Sequence, residues 1–358
     1  MNNIKNLLIV GSGATGSSTY HMLKQSPDFM KNYKVHLWDK ANGAGGRMST
    51  KRLDSINCFS FTIDLGAQYF SLNTEHFTKF PEIYKNLISS KLLQLIDGNE
   101  IVNSPSYAFD IKHYIAPQGS NSIIKHFLKD PDNVQFNRSL NSIKILNNQC
   151  YVKCNNDENS IDIPFDIVIL TCPVPQILNI NGISEILNEE VERNLSSVEY
   201  SSCFALGVLY NTRPEWINNI PVMQYVSNSA SDLLAYIAID TDKRFQNRSE
   251  ENVSICVHSR AFPFGKDNIE KLAEEIKPEL LKELKRLYPE MSEPSGVICH
   301  KWRYSQFHKS LISNTKSMAI MKEPHIIIGG DGIIGGSGFH NCLLSAQSIC
   351  EYVFATCL

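Results

Sequence analysis

The run Gly11-Ser12-Gly13-Ala14-Thr15-Gly16 spaces its glycines where a backbone that must hold an anion needs them. Gly11 permits a tight turn, Gly13 lets main chain approach a pyrophosphate, and Gly16 allows the following helix to pack closely. The unpaired N–H groups and partial positive charge of that helix's N-terminus then face the phosphates. Asp39 stands where a carboxylate accepts hydrogen bonds from ribose hydroxyls, and an arginine there would have suggested a phosphorylated ribose. A glycine-rich turn without a ligand is the plainer alternative, and these residues alone leave FAD and NAD both open.

Further glycine runs move the choice. Gly43-Ala44-Gly45-Gly46-Arg47-Met48 follows directly on the acidic strand end, where a simple NAD dehydrogenase continues into another helix and strand. Glycines this dense let main chain lie against a ligand, and Arg47 can reach its phosphates, although a surface loop has the same composition. Asp64-Leu65-Gly66-Ala67-Gln68-Tyr69 adds a small-residue turn suited to approaching an isoalloxazine ring. Near the end of the chain, Gly329-Gly330-Asp331-Gly332 closes an apolar run ahead of a helix beginning near Gly338. A structural glycine turn is the bland reading of that segment.

These motifs need strands and helices to aim them. Leu7-Leu8-Ile9-Val10 is a short, continuous apolar run, as expected of a central parallel strand. Tyr20, Met22 and Leu23 recur near helical spacing after Thr15, Ser26-Pro27 supplies a break, and Val35-His36-Leu37-Trp38 makes the second strand. Together they form one βαβ unit. Ile167-Val168-Ile169-Leu170, stopped by Pro173 and Pro175, and Ile326-Ile327-Ile328 read as further buried strands that rejoin the first sheet. Residues 147–159 read as a hairpin and loop, and residues 268–288 as a charged helix.

Composition narrows the class. A chain of 358 residues exceeds the usual size of one hydrophobic core, so two structural units are expected. With 42% hydrophobic and 20% charged residues it is an ordinary globular protein, and a net charge of -3 offers no field for nucleic acid or an acidic membrane. A small-molecule partner fits better. The acidic cluster Glu189, Glu190 and Glu192 reads as a solvated helix face. Ten cysteines at irregular spacings read as buried free thiols, and Cys150 and Cys154 lack the further ligands of a zinc site, so no metal is expected. The first apolar run is too short for a signal peptide, and no stretch approaches the ~20 apolar residues of a membrane span. The expectation is a cytoplasmic protein that contacts no membrane, with secretion lacking a cleaved signal as the alternative.

Taken together, the GxGxxG, GGR and LGA motifs resemble those of the flavin amine oxidase superfamily. Longer strings sharpen the resemblance to its renalase family across nearly the whole chain: residues 38–50 (WDKANGAGGRMST), 64–69 (DLGAQY), 116–128 (APQGSNSIIKHFL), 169–178 (ILTCPVPQIL), 198–206 (VEYSSCFAL), 224–228 (QYVSN), 301–306 (KWRYSQ) and 329–332 (GGDG). The implied fold is α/β plus α+β, a Rossmann-like FAD-binding domain with an inserted mixed-sheet substrate domain, as in amine oxidases and p-hydroxybenzoate hydroxylase. The FAD-binding domain would comprise 1–76, 116–186 and 300–358, and the substrate domain 77–115 and 187–299.

The resemblance implies an FAD-dependent oxidase of 2- and 6-dihydro isomers of NAD(P), in which hydride passes to flavin N5 and dioxygen yields hydrogen peroxide, a metabolite-repair role. Hydride transfer needs a close, desolvated stacking geometry more than a strong acid or base. Carried onto this sequence, the FAD contacts are Gly11, Gly13, Thr15, Gly16, Asp39, Lys40, Gly46, Arg47, Gln68, Tyr69, Asp331 and Ile333. The residues expected over the substrate are His258, Trp302, Tyr225 and Gln118, although a lone Tyr, Trp or His is more often packing. Amine oxidases place an aromatic residue just before their last flavin-facing helix. This chain has Ile333-Ile334-Gly335-Gly336-Ser337 there, which counts against amine oxidation. It also lacks their cysteine-containing attachment motif, so the FAD is expected to be noncovalent. A monomer is expected, and the competing readings are a monoamine or polyamine oxidase and a non-enzymatic signalling protein on the same fold.

Overall fold

The computed structural model describes residues 4–56, 59–96, 101–105, 110–129, 133–154, 164–245, 251–309 and 315–357. Part of the expected loop at 147–159, and the thiols of Cys58 and Cys357, lie outside them. Contacts divide the chain into two compact units: Met1–Gly46, Ile124–Tyr200 and Gln306–Leu358 form the first, Arg47–Ile123 and Ser201–Ser305 the second. The sequence boundaries open the second domain at residue 77. The contacts gather the chain from Arg47 onward into that unit, because the hairpin Thr50–Ile56 and Phe59–Asp64 packs on the strand Glu251–Ser259.

The first unit carries a six-stranded sheet in the order Ser317–Lys322, His325–Gly329, Ile167–Leu170, Lys5–Val10, Tyr33–Trp38, Val134–Gln135. All neighbours run parallel except the edge strand Ser317–Lys322. The central strands are buried along nearly their whole length, which is why they read as continuous apolar runs. Leu8, Val10, Val168, Leu170, Ile326 and Ile328 form one core face with Trp38 and Phe165. The helix Ala14–Lys24 follows the glycine loop, and the helix Phe339–Cys357 follows the last parallel strand. Ser26-Pro27 ends the first helix and also begins another, Pro27–Asn32: Ser26 Oγ accepts from Phe29 N and Pro27 takes the first helical position.

The expected hairpin appears as Leu140–Leu146 and Gln149–Cys154, turning through Asn147 and Asn148. Both have positive φ, +48° and +63°, a conformation that asparagine tolerates.

The second unit is built on a mixed six-stranded sheet, Gly296–Trp302, Cys203–Thr212, Glu251–Ser259, Leu234–Ile239, Met223–Tyr225, Ile101–Val102, antiparallel except for its last pair. One face buries Phe204, Leu206, Val208, Ile255 and Val257 under Ile276, Leu280 and Leu284 of a helix. That helix is Ala273–Leu287, shorter than the expected 268–288. Glu275 accepts from the Leu272 backbone N at 2.6 Å and starts it late, after a separate turn Lys266–Asn268. Among the described residues, Cys150, Cys154, Cys172, Cys203, Cys256, Cys299, Cys342 and Cys350 carry free thiols, and burial pushes those of Cys150, Cys172 and Cys350 up to about 12. No helix among the described residues is long and apolar enough to cross a membrane.

Candidate functional site

The glycine loop of the first unit has a closed side and an open side. A Cβ on Gly16 would stand 1.9 Å from the Gly11 carbonyl oxygen, and Gly11, with φ of +108°, lies against the Thr171 hydroxyl. Thr171 Oγ1 donates to Val10 O at 2.9 Å and lies 3.3 Å from Gly11 O, tying the loop to the neighbouring strand end. Gly13 has nothing within 4 Å of where a Cβ would be. The loop therefore closes on itself around Gly11 and Gly16 and leaves the front of Gly13 clear. No side chain caps the helix Ala14–Lys24, and its first turn holds no acidic residue, so its leading N–H groups suit a pyrophosphate. These residues fit a dinucleotide such as FAD.

Asp39 braces the same loop. Its Oδ2 accepts from both Ser12 N and Ser12 Oγ at 2.6 Å, and its Oδ1 from Ala41 N at 2.8 Å. Gly45 N donates to Ser12 O, and Gly46, with φ of +54°, approaches the Gly13 backbone. Thr15 is buried at the start of the helix and Lys40 is exposed beyond the second strand. Beyond the carboxyl end of the strand His325–Gly329, Asp331 is buried and begins the short turn Asp331–Ile334. Its carboxylate accepts from Ser337 Oγ at 2.8 Å and from Tyr200 OH at 3.5 Å, and Ile333 N donates to Gly330 O. Ser12, Thr171, Tyr200 and Ser337 are supports that the sequence reading missed. Ser12 and Ser337 stand beside glycines in the sequence, whereas Thr171 and Tyr200 fall within the strings 169–178 and 198–206 with nothing to mark what they touch.

In the second unit, Arg47, Gln68, Tyr69, His258 and Trp302 converge on the turn that follows Asp64. The Leu65 carbonyl accepts from Trp302 Nε1 at 2.7 Å and from His258 Nε2 at 3.1 Å. The facing strands set this geometry, since Trp302 pairs with Cys203 and His258 with Ala205 along the strand Cys203–Thr212. Burial, aided by the Lys243 charge and opposed by the bond to Leu65, pushes His258 down to about 4. The imidazole is thus neutral near pH 7, with its proton on Nε2. Gly66 admits no side chain: a Cβ there would be 2.0 Å from the Arg47 carbonyl, which also accepts from Ala67 N. The Arg47 guanidinium reaches Ser305 O at 3.4 Å.

Aromatic rings continue the cluster. Tyr225 OH meets Tyr69 OH at 2.5 Å, and the Tyr225 ring lies 5.2 Å from that of Tyr236, which is 5.7 Å from His258. Gln118 is exposed, and its carbonyl accepts from Arg52. The Gln68 carboxamide is engaged within the turn, donating to Asp64 O and Gly66 O and accepting from Lys243. Lys243 was not singled out from sequence, because the charged string Asp240-Thr241-Asp242-Lys243-Arg244 reads as surface.

Comparison with known proteins gives concordant matches. The family described as flavin containing amine oxidoreductase matches residues 99–354, and the NAD(P)-binding Rossmann-like domain matches residues 9–87. Renalase from Mus musculus is 31% identical over 350 residues, covering 96% of this chain and 97% of its own. Among solved structures, one from Exiguobacterium sp. 255-15 named for protoporphyrinogen oxidase superposes with a TM-score of 0.71 at 13% identity, covering 99% of both chains. Wild-type putrescine oxidase bound to putrescine gives 0.67 at 13% identity, again over 99% of both. At that identity the structural matches speak for the fold alone.

Proposed function

Because this chain belongs to the flavin containing amine oxidoreductase family, and is a flavin-dependent oxidoreductase with FAD as cofactor, we propose that it oxidises 2- and 6-dihydro isomers of NAD(P) to NAD(P)+. When bound, FAD would supply the hydride acceptor, with dioxygen as the terminal oxidant and hydrogen peroxide as its product. On this reading the residues that would hold the cofactor are Gly11, Gly13, Gly16 and Asp39 in the first unit, and Arg47, Gln68 and Tyr69 in the second.

The observation that carries the substrate assignment is the pair of donors on the Leu65 carbonyl. Both are neutral: an indole N–H and an imidazole whose pKa is held at about 4. An amine arrives as an ammonium and must lose a proton before its carbon can release hydride. An imidazole this acidic is a weak base for that task. A dihydronicotinamide has no such proton, and it asks only to be stacked, oriented and kept from water. Trp302, His258 and Tyr225 offer flat, partly apolar surfaces for that purpose, and renalase from Mus musculus is related over almost the full length of the chain.

Anaerobic mixing of the FAD-loaded protein with each dihydro isomer, and in parallel with a monoamine and a polyamine, tests the proposal. Rapid bleaching of the visible flavin absorption by at least one isomer, with none by the amines, is expected. Bleaching by an amine and by neither isomer overturns the substrate assignment in favour of amine oxidation.

A further inference from the structure

The second unit buries a short helix of unusual composition. In Asp240–Phe245 (DTDKRF), every residue except Phe245 is buried. Lys243 is 1% exposed and Asp240 is wholly buried, and Lys243 Nζ lies 2.7 Å from Asp240 Oδ1. Arg244 Nε stands 3.1 Å from Asp240 Oδ2 and Nη2 donates to Thr62 O. Apolar side chains of similar size would avoid the desolvation that such charges carry, so a buried ion pair is weak evidence for a purely stabilising role. The ammonium also has a second neighbour, Gln68 Oε1, at 3.0 Å.

That contact determines what the other end of Gln68 does. An ammonium only donates, so the carboxamide must present its oxygen to Lys243 and its nitrogen to the turn. Gln68 Nε2 then donates to Asp64 O at 2.6 Å and Gly66 O at 3.1 Å, with Cys256 Sγ at 3.5 Å. The carbonyl between them, Leu65 O, is held by His258 and Trp302. Three consecutive carbonyls are thus each engaged by a side chain. A flipped carboxamide would set Oε1 against two carbonyl oxygens.

We infer that Lys243 is a positioning residue: by fixing the sense of the Gln68 carboxamide it holds the Leu65–Gln68 turn in the conformation that supports FAD binding. The inference rests on the proposal that Gln68 and Tyr69 are FAD-binding residues. It assigns a role to a residue remote in sequence from the glycine motifs and outside the substrate-facing set.

Two substitutions separate positioning from folding. Lys243→Met removes the charge, and Gln68→Glu keeps an acceptor for the ammonium while removing both donors to the turn. Each is expected to bind FAD about tenfold more weakly, the scale of one charge-assisted hydrogen bond, and to alter the visible circular dichroism of the bound flavin. Lys243→Met combined with Gln68→Met should be no worse than either alone, since both break one chain of contacts. Wild-type FAD affinity and dichroism in Gln68→Glu overturn the inference, and that variant decides alone where Lys243→Met fails to fold. Neither readout involves a substrate. A wild-type flavin that dihydro-NAD(P) isomers fail to bleach therefore counts against the proposed reaction and leaves this test standing.

Discussion

Gly13 and Gly16 carry the same side chain for opposite reasons, and the difference is measurable. Gly16 is filled in front by the Gly11 carbonyl at 1.9 Å from its missing Cβ, so its demand is internal. Gly13 faces open space and has φ of -75°, which any residue accepts, so its demand comes from the ligand. Gly13→Ala is expected to leave the unfolding midpoint of the apoprotein within experimental error while weakening FAD about 10- to 100-fold, the range of an overpacked contact. Gly16→Ala should lower the apoprotein midpoint itself. Thermal unfolding without FAD, followed by flavin titration, checks both. Equal effects of the two substitutions on the apoprotein would mean that Gly13 is structural.

At the scale of elements, the helix Asp240–Phe245 is also tied down by Arg213, whose guanidinium donates to both carboxylate oxygens of Asp242, at 2.9 and 2.7 Å, with both side chains about 4% exposed or less. Arg213→Met strands a buried carboxylate and should cost about 3–5 kcal/mol, whereas Arg213→Met with Asp242→Leu should recover most of it. Denaturant unfolding of the two variants gives the comparison, and equal losses would contradict it. This helix also marks where sequence reading stops. The strands at 7–10, 35–38, 167–170 and 326–328 were legible because both faces are covered, and the glycine loop because its spacing is dictated by a turn and a close approach. A string of charges is legible only as surface until its partners, here Arg213, Gln68 and Thr62, come together from up to 182 residues away. The same limit hid Thr171 and Ser337, whose hydroxyls matter through what they touch.

For the whole molecule, buried imidazoles set an acid limit. Burial pushes His36, His258 and His300 down to about 4 from 6.5. Each folded-state pKa lies below its unfolded value, so between the two the unfolded chain binds more protons and stability falls with falling pH. The loss begins near 6.5 and is complete near 4. His258→Gln should flatten that slope by one group's share, as read from unfolding free energies across the window. An unchanged slope would mean that His258 is protonated in the folded protein.

The same molecule places unusual demands on its own synthesis. The strand Lys5–Val10 has Ile167–Leu170 on one side, paired Leu7 to Ile167, and that strand in turn awaits His325–Gly329. A chain leaving the ribosome therefore carries its first strand and glycine loop through the making of about 160 further residues before one open edge is covered. The parallel part of the sheet is completed only once His325–Gly329 has been made. Until then the nascent chain presents an apolar, unpaired strand edge of the kind that recruits chaperones or other chains. Early termination upstream of residue 325 would release a chain with its glycine motif intact and its sheet unfinished.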